Sequence, residues 1–371
     1  MKKIVFLGIA MIAVCYAFAR FSFGLFLPSM ARTLGLTVVG SGLIASASYI
    51  AYCAALITST FVIYKTGCHT AVRLAGISTV IGLAGITFSG DAVVLAGSVF
   101  VAGLGTGWAS PAFGNIAAAE LTEANRHQGN TWINSGTSFG IILSGPIALF
   151  FSHYWRQSYA LFTVISLAVL VWNVKAIPQS KTRVTALSLR ELRTSWRRSI
   201  PLITASLLMG ISSSIYWTFS RDYITVHHHI SYTVSIWFWI TMGASGILGG
   251  LAGGIIGRIG MQGAYVSALF SMSAAIALLT STSVSLTFLS GVLFGITYIF
   301  LTGVFIVWGT NLFPENPAIG ISLSFLLLGI GQTVGTALAG LSIAAFSYTT
   351  SFLLFAFVGL VGLVVRTNSS K

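Results

Sequence analysis

One charged side chain interrupts the first apolar stretch of the sequence. Arg20 lies within "AVCYAFARFSFGLFLPSM", in an apolar run that begins at Ile4 and ends at Pro28. An arginine at the centre of a membrane helix costs about 2.5–3.5 kcal/mol on insertion scales, which predicts a functional role. Because the guanidinium presents a rigid fork of donors, we expect Arg20 to bind the carboxylate, phosphate or other anionic part of a substrate. The alternative is a structural arginine that bonds helix-end carbonyls or extends outward among neighbouring phenylalanines.

Other reactive residue types form no catalytic pattern. The sequence has no paired carboxylates within an apolar segment, no Ser/His pair expected in facing helices, no H-E-x-x-H and no ATP-binding motif, which disfavours an enzyme. The "HHH" at residues 227–229 could bind a divalent metal or sense pH, but no second cluster completes a site, and we expect a solvated loop. Cys15, Cys53 and Cys68 lack metal-ligand spacing and are interpreted as packing residues. We expect neither a cofactor nor a metal.

The composition indicates which solvent surrounds the chain. Apolar residues make up 56% of the 371 residues, charged residues only 7%, and the mean hydropathy is +0.92. A water-soluble domain of this length could not bury so much apolar surface in one core. The apolar segments are continuous rather than alternating, which excludes a porin-like barrel. The sequence therefore predicts an all-α polytopic membrane protein with the lipid bilayer as a partner.

Twelve apolar segments are long enough to cross a hydrocarbon core, which takes about 20 residues. They lie near 4–28, 40–63, 71–89, 92–118, 131–151, 158–177, 200–221, 232–256, 263–281, 285–310, 318–340 and 343–365. The start, "MKK" followed by an apolar stretch and "AFA" at 17–19, resembles a signal peptide with a cleavage site. The apolar pattern resumes after this point, so we interpret the segment as the first span.

The distribution of basic residues predicts the orientation. With the N-terminus inside, fifteen of the nineteen Lys and Arg residues fall on the inner side and Arg20 lies within the membrane. Only Arg32, Arg156 and Arg221 fall outside. This asymmetry predicts that both termini are cytoplasmic, in a membrane of the bacterial inner-membrane type. The net charge of +13 is thus a topology signal, and we expect no nucleic-acid partner.

The chain divides into two similar halves. A polar linker at 178–199, "PQSKTRVTALSLRELRTSWRRS", separates six-helix segments at 1–177 and 200–371. The second part of the linker is either an amphipathic helix on an anionic inner leaflet or a solvated basic linker. Gly67 and Gly260, in similar loops, are 193 residues apart, and the glycine-rich stretches that begin at Gly136 and Gly331 are 195 apart. Repeats at nearly one offset predict a tandem duplication, as in transporters built from two parallel-related halves.

These features resemble the major facilitator superfamily of secondary transporters over essentially the whole chain, and "FARFSFGLFLPSM" is most similar to the first helix of the YbfB/YjiJ-type branch. The family's loop motif G-x-x-x-D-[RK]-x-G-[RK]-[RK] survives in part. Lys65 and Gly67 match it in the first half, and Arg258 and Gly260 match in the second, but the Asp is missing from both. The resemblance implies that these four residues control the conformational change. The family's Gly-Pro motif is present as Gly145 and Pro146, which would let the fifth helix bend.

The resemblance also implies a central cavity lined by the first, fourth, seventh and tenth helices. Besides Arg20, the side chains expected at this cavity are Tyr16, Trp108, Asn115, Asn134, Trp217 and Tyr298. Aromatic walls with few polar groups suit a partly apolar organic ligand. Each of these residues alone could equally serve packing or hydrogen bonding between helices.

No acidic residue is predicted securely within a span, although proton-coupled carriers usually place a carboxylate along the path. The best candidate for ion coupling is Asp222, at the outer end of the seventh helix, where it could face the outer mouth above Arg20. Alternatively, Asp222 pairs with the neighbouring Arg221 at the surface.

The sequence as a whole predicts a monomeric transporter that moves a small organic solute by alternating access, and an anionic solute is favoured over a neutral or cationic one. The Gly145–Pro146 motif favours export by antiport, whereas the missing acids favour uniport or exchange. The coupled species would be a proton or a counter-substrate. The alternatives are a non-transporting sensor or scaffold on a transporter fold, or a polytopic membrane enzyme.

Overall fold

The structure, a computed structural model, describes residues 2–151, 154–177, 189–314 and 317–367, and these form twelve consecutive membrane-type helices. The first six are α1 (Lys2–Leu34), α2 (Val38–Thr66), α3 (Cys68–Phe88), α4 (Ala92–Glu120), α5 (Glu123–Asn134 and Gly136–Phe151, interrupted at Ser135) and α6 (Trp155–Ala176). The second six are α7 (Leu189–Val226), α8 (Tyr232–Gly246, continued by the 3-10 turn Ile247–Leu251), α9 (Ala252–Leu278), α10 (Val284–Leu312), α11 (Pro317–Ala345) and α12 (Tyr348–Val361, followed by the 3-10 turn Gly362–Val364).

Within the described ranges, eleven helices are long and apolar enough to cross a membrane, and the twelfth, Tyr348–Val364, is apolar but shorter. The prediction of an all-α polytopic membrane protein is confirmed. The first span, Lys2–Leu34, continues through residues 17–19 without a break. The seventh extends to Val226 and therefore includes Asp222, which the sequence had placed just beyond the span. Residues 178–188 of the predicted linker and Glu315 lie outside the described part of the chain.

Two glycines with left-handed backbone angles mark equivalent turns in the two halves. Gly67 has φ 86° and ψ 164°, and Gly260 has φ 75° and ψ 166°. These angles are accessible to glycine but strained for residues with a side chain. Gly67 separates α2 from α3, and Gly260 breaks α9. The same turn at the same place in each half agrees with the tandem repeat seen in the sequence.

Polar caps fix the beginnings of several helices. The side chain of Asp91 accepts hydrogen bonds from the backbone N–H groups of Val93 and Val94, at 2.8 and 2.9 Å, and so caps α4. Thr37 caps α2 in the same way. Such side chains satisfy N–H groups that have no partner within the helix. The structural role of the Asp91 carboxylate is therefore to cap α4.

The two halves meet at one side of the molecule. Because successive helices run in opposite directions, we call the side that holds both chain ends the terminal side and the opposite side the far side. At the far side α1 packs on α7, and α2 packs on α11. A Cβ at Gly42 of α2 would overlap the Thr336 carbonyl and the Gly340 backbone of α11, so the helices can approach this closely only because Gly42 has no side chain. The far side is closed.

The terminal side is less tightly packed. Among the described helices, α4 has no extensive packing against α10 or α11. All residues of α7 from 212 to 224 are buried, whereas Pro201, Leu208 and Ile211 in its terminal half are partly exposed. The halves are therefore in contact at the far side through α1 with α7 and α2 with α11, whereas at the terminal side α4 stays apart from α10 and α11. The packing of α5 against α8 joins the halves along both helices.

Candidate functional site

The guanidinium of Arg20 is buried between aromatic rings. Arg20 is 6% exposed, and its guanidinium carbon lies 4.3 Å from the ring centroids of both Tyr49 and Tyr52. Tyr16 and Phe21 lie further away, at 5.8 and 5.4 Å. A cation over the face of an aromatic ring is attracted by the ring quadrupole. The ring contacts offset part of the cost of burying the cation.

A hydrogen-bond chain connects Arg20 to the other half of the molecule. An Nη atom of Arg20 donates to Gln332 Oε1 of α11 at 2.6 Å. Gln332 Nε2 in turn donates to the Tyr298 hydroxyl of α10 at 3.1 Å. Gln332 is fully buried, so water cannot replace a partner of its amide group. Both the amide oxygen and the amide nitrogen are hydrogen-bonded within the protein. Arg20 therefore joins helices of both halves.

Several donors at this site have no acceptor. Arg20 Nε, Trp217 Nε1 and Ser48 Oγ are buried atoms without a hydrogen-bond partner. All three residues line one small cavity with room for about one water molecule. Among the described residues, the ionisable side chains that interact electrostatically with Arg20 are tyrosines, and none of them is a carboxylate. The site is therefore positively charged and rich in donors.

A π-helical segment, Ala13–Phe21, carries Arg20 within α1. At its end the N–H of Ser22 donates to the carbonyl of Ala17, five residues back. Ser22 Oγ donates to the carbonyl of Phe18 at 2.5 Å and lies 2.8 Å from the Tyr159 hydroxyl of α6. π-helical turns are rare and occur frequently at functional sites, because they rotate the following side chains relative to a regular helix. This segment gives Arg20 its orientation toward α2 and α11.

The structure brings together four of the seven predicted binding residues. Tyr16, Trp217 and Tyr298 surround Arg20: the ring of Trp217 lies 5.0 Å from that of Tyr298 and stacks on Phe21 at 4.1 Å. These contacts join α1, α7 and α10, which are three of the four helices expected to line a cavity.

The other three predicted residues lie apart from Arg20. Trp108 Nε1 donates to Thr58 Oγ1 at 3.1 Å, which links α4 to α2 within the first half. Asn115 Nδ2 donates to the carbonyl of Pro111 in its own helix at 2.8 Å. Asn134 is half-buried at the end of the first segment of α5. The hydrogen bonds of Trp108 and Asn115 lie within the first half of the molecule. Both residues would meet a substrate only on its route from the terminal side.

Sequence reasoning missed four residues of the Arg20 site. Tyr49 and Tyr52 are three positions apart in α2 and so lie on one helix face, which is a detectable signal. Gln332 is the only amide side chain in α11, and a lone amide in an apolar helix also indicates a polar contact. Ser48 gave no signal, because serine is common in these helices.

Arg221 is a second buried arginine. Its side chain is fully buried, Nε donates to Ser235 Oγ of α8 at 3.0 Å, and an Nη atom donates to the Leu25 carbonyl of α1. Its guanidinium carbon lies 4.5 Å from the ring centroid of Tyr232. Placing Arg221 outside the membrane was wrong, because α7 extends past it and positions it between α1 and α8.

Asp222 points in another direction. It is 8% exposed, and its Oδ2 accepts a hydrogen bond from the Tyr348 hydroxyl of α12. Asp222 and Arg221 do not form a pair at the surface, since both side chains are buried and each hydrogen-bonds to different helices, although the two neighbouring charges still interact electrostatically. Asp222 is thus a buried carboxylate within a membrane-spanning helix.

The three histidines follow directly after α7. His227 and His229 are exposed and His228 is half-buried. Partial burial and the neighbouring His227 lower the pKa of His228. Among the described residues, no group of three or more His, Cys, Asp or Glu side chains is arranged to hold a metal ion.

The predicted conformational residues lie at two places. Lys65 and Arg258 are exposed on the terminal side, two residues before the turns at Gly67 and Gly260. Their ammonium and guanidinium groups are free to meet solvent or lipid headgroups.

Gly145 and Pro146 lie within α5, where it crosses α8. A Cβ at Gly145 would overlap the side chain of Ile240 of α8. Nearby, Trp239 Nε1 of α8 donates to Ser144 Oγ at 3.3 Å. The Gly-Pro pair thus lies at a close contact between the two halves.

A sequence model of the family described as Major Facilitator Superfamily matches residues 9–323. Several solved structures are similar. The nucleoside transporter NupG has 15% identity and a TM-score of 0.79, with 98% of each chain covered. A D-xylose-proton symporter has 13% identity and a TM-score of 0.82, covering 100% of this chain and 99% of the other. A POT family transporter in complex with a thioalcohol-conjugated peptide has 15% identity and a TM-score of 0.79, covering 97% and 94%. No curated protein sequence matches significantly. At these identities, the structural likeness shows the fold alone.

Proposed function

The chain belongs to the major facilitator superfamily and is a membrane transporter rather than an enzyme, and from this premise we propose that it carries a small organic anion by alternating access, with Arg20 as the anchor. The proposal rests mainly on a buried arginine that has no carboxylate partner among the described residues. A cation buried in this way is costly unless another group compensates its charge. An anionic substrate would supply that compensation.

The aromatic residues around Arg20 would form the walls of the binding site. Tyr16, Trp217 and Tyr298 contact Arg20 or its neighbours and offer apolar surface with few polar groups. Such walls suit an organic solute better than an inorganic ion. Trp108, Asn115 and Asn134 are partly exposed and would line the route from the terminal side.

Alternating access would move two bundles, residues 1–177 and 200–371, joined by the linker 178–199. In the conformation described, the contacts of α1 with α7 and of α2 with α11 close the far side. In the opposite state these contacts would open and the terminal side would close. Gly145 and Pro146 would allow α5 to slide or bend against α8. Lys65, Gly67, Arg258 and Gly260 would act at the loops of the terminal side.

The orientation follows from the positive-inside rule. The terminal side would face the cytoplasm of a bacterial-type inner membrane, so the conformation described would be inward-facing. Within the family, the first helix favours the YbfB/YjiJ-type branch. Each half encloses its own helices and needs no second copy, so a monomer is the simplest functional unit.

Asp222 is the residue we propose for ion coupling. It is a buried carboxylate whose hydrogen-bond partner is the hydroxyl of Tyr348 rather than a cation, so it could take up and release a proton. In proteoliposomes, Asp222→Asn should abolish substrate accumulation driven by a pH gradient while keeping exchange of labelled for unlabelled substrate. Asp91→Asn, which alters only a helix cap, is the matched control. Full accumulation by Asp222→Asn would exclude this role.

The function is tested first by ligand-dependent stabilisation. A ligand that binds only the folded state raises the melting temperature by mass action, without any assumption about direction or coupling. We expect organic anions, but not neutral metabolites or cations, to stabilise the purified protein, and to do so only when Arg20 is present. Flux of the same compounds in proteoliposomes then distinguishes a carrier from a non-transporting sensor. Stabilisation by cations or neutral compounds that survives Arg20→Ala would contradict the proposal.

A further inference from the structure

The unpaired atoms at the Arg20 cavity are donors rather than acceptors. Arg20 Nε and Trp217 Nε1 can only donate, and Ser48 Oγ can do either. The acceptors nearby are already occupied, since Gln332 Oε1 accepts from Arg20 and the Tyr298 hydroxyl accepts from Gln332. A buried donor without a partner is unfavourable by roughly 1–3 kcal/mol, so the site favours a ligand that brings acceptor atoms. Ammonium groups, which bring donors and no acceptor, would leave these groups unpaired.

The cavity carries one positive charge. Arg20 is its only charged lining residue, and the second buried arginine, Arg221, is bonded to α1 and α8. One anionic group would neutralise the site. A dianion would leave a net negative charge in a low-dielectric interior, and a cation would add to the existing charge.

The rings around Arg20 restrict how an anion can approach. Tyr49 and Tyr52, each 4.3 Å from the guanidinium carbon, occupy positions over the guanidinium, and Gln332 occupies one Nη atom. Nε has no partner, whereas its neighbour on the same edge of the guanidinium, Nη2, donates to Gln332, so a carboxylate that bonds both nitrogens would share or displace the Gln332 contact. A carboxylate is planar and can accept two parallel hydrogen bonds from such an edge.

The remaining walls favour a flat apolar body. Phe21 stacks on Trp217 at 4.1 Å, and Tyr298 meets both rings edge-on, at 6.4 and 5.0 Å. Ring pairs of this kind can accept another ring by stacking or by edge contact. Since the cavity has room for about one water molecule, a ligand must part Phe21 and Trp217 and would take over their ring contacts.

We infer that the Arg20 cavity recognises an aromatic or conjugated monocarboxylate, with its carboxylate at Arg20 Nε and its ring stacked on Phe21 and facing the N–H edge of Trp217. A second acceptor on the ring would pair with Trp217 Nε1. This inference rests on the proposed function, because it takes Arg20 as the substrate anchor, and it narrows the substrate from organic anions in general to this class.

The test is binding of a matched set of small probes to the wild-type protein in nanodiscs, measured by calorimetry. Benzoate should bind, and benzamide, benzylammonium and phthalate should bind at least about tenfold more weakly, because they remove, reverse or double the charge. Propionate should also bind at least about tenfold more weakly, since it lacks the ring. Comparable binding of benzamide, benzylammonium, phthalate or propionate, or no binding of benzoate at millimolar concentration, would overturn the inference.

Two variants test the assigned atoms. Arg20→Lys keeps the charge but loses the planar fork, and should weaken benzoate binding about tenfold or more. Arg156→Lys, at the far surface, should not.

Trp217→Phe keeps a ring but loses the N–H. It should weaken nicotinate, whose ring nitrogen is an acceptor, about tenfold more than benzoate. Trp237→Phe, at a half-exposed position, is the matched control. An equal effect of Trp217→Phe on both ligands would remove the second contact from the proposal.

The outcome also separates this inference from the proposed function. If aromatic monocarboxylates fail but another organic anion is transported in a manner that depends on Arg20, the proposed function stands and the narrower class is wrong. If the transported solute is neutral or cationic and Arg20→Ala has no effect, both are wrong.

Discussion

The protein contains two buried arginines in neighbouring membrane helices, and they are held in different ways. Arg20 of α1 bonds Gln332 of α11, lies between two tyrosine rings, and keeps Nε without an acceptor beside a cavity. Arg221 of α7 bonds the Leu25 carbonyl of α1 and a serine of α8; one of its Nη atoms also has no hydrogen-bond acceptor, but Arg221 does not line that cavity. Each crosses to the opposite half. The difference shows that burial of a charge does not by itself identify a binding site; an unused donor directed at a cavity is the more specific sign.

The contact between α1 and α7 lies between the two arginines. A Cβ at Gly24 would overlap the carbonyl of Trp217, so these helices touch through backbone. One turn further along, Pro28 lacks an N–H and so removes the helix hydrogen bond to the Gly24 carbonyl, and the next carbonyl, that of Leu25, accepts from Arg221. Arg221 therefore fastens a contact that must open in alternating access, whereas Arg20 faces the space that this contact closes.

The largest effect is expected for ligand binding after Arg20→Ala. Loss of the charge-assisted hydrogen bonds should weaken an anionic ligand by at least about a hundredfold, while the purified variant stays monodisperse. Calorimetry of ligand binding, together with size-exclusion chromatography in detergent, measures both properties. Normal binding by the variant would make Arg20 a structural residue like Arg221, and loss of folding would also remove the anchor role.

A smaller but clear effect is expected for Gly24→Leu. The added side chain should prevent α1 from closing on α7, hold the far side open and reduce transport at least about tenfold, because a close-packed contact cannot absorb the extra volume. Transport in proteoliposomes measures the rate. Gly114→Leu is the control, since a Cβ there meets nothing within 4 Å. Equal rates for the two variants would mean that the contact of α1 with α7 need not close.

The smallest effect on binding is expected for Arg221→Met. Removing the donors to Leu25 and Ser235 should lower the free energy of unfolding by about 1–3 kcal/mol and favour opening of the far side. Ligand affinity should stay within about threefold of wild type, since Arg221 does not line the cavity. Thermal unfolding and calorimetry measure these two quantities. A loss of affinity as large as that of Arg20→Ala would remove the distinction between the two arginines.

Much of the fold could be predicted from the sequence. The apolar segments and the glycine turns at 67 and 260 follow from local composition and repeat spacing. The predicted end of the seventh span was less accurate, because Arg221 and Asp222 were interpreted as the start of a loop, whereas the span continues to Val226. Charged residues normally end an apolar span, and only their contacts with α1, α8 and α12 explain why they lie inside this one.

The candidate site could be predicted in part. The sequence identified Arg20, because one cation in an apolar helix is conspicuous, and it identified Tyr16, Trp217 and Tyr298 as aromatic residues on helices expected at the cavity. Gln332 could not be assigned, since it lies 312 residues from Arg20 and is brought near by the packing of α11. Trp108 and Asn115 were grouped with Arg20 by helix number, although their hydrogen bonds lie within the first half.

The sequence by itself determined that this chain is a helical membrane protein and which cation is anomalous, because the bilayer constrains each segment locally through its length, hydropathy and charge. The tertiary structure decided which groups satisfy that cation, which arginine fastens the far side, and which donors are left for a ligand. These outcomes depend on contacts between residues hundreds of positions apart, and no local pattern in the sequence encodes them.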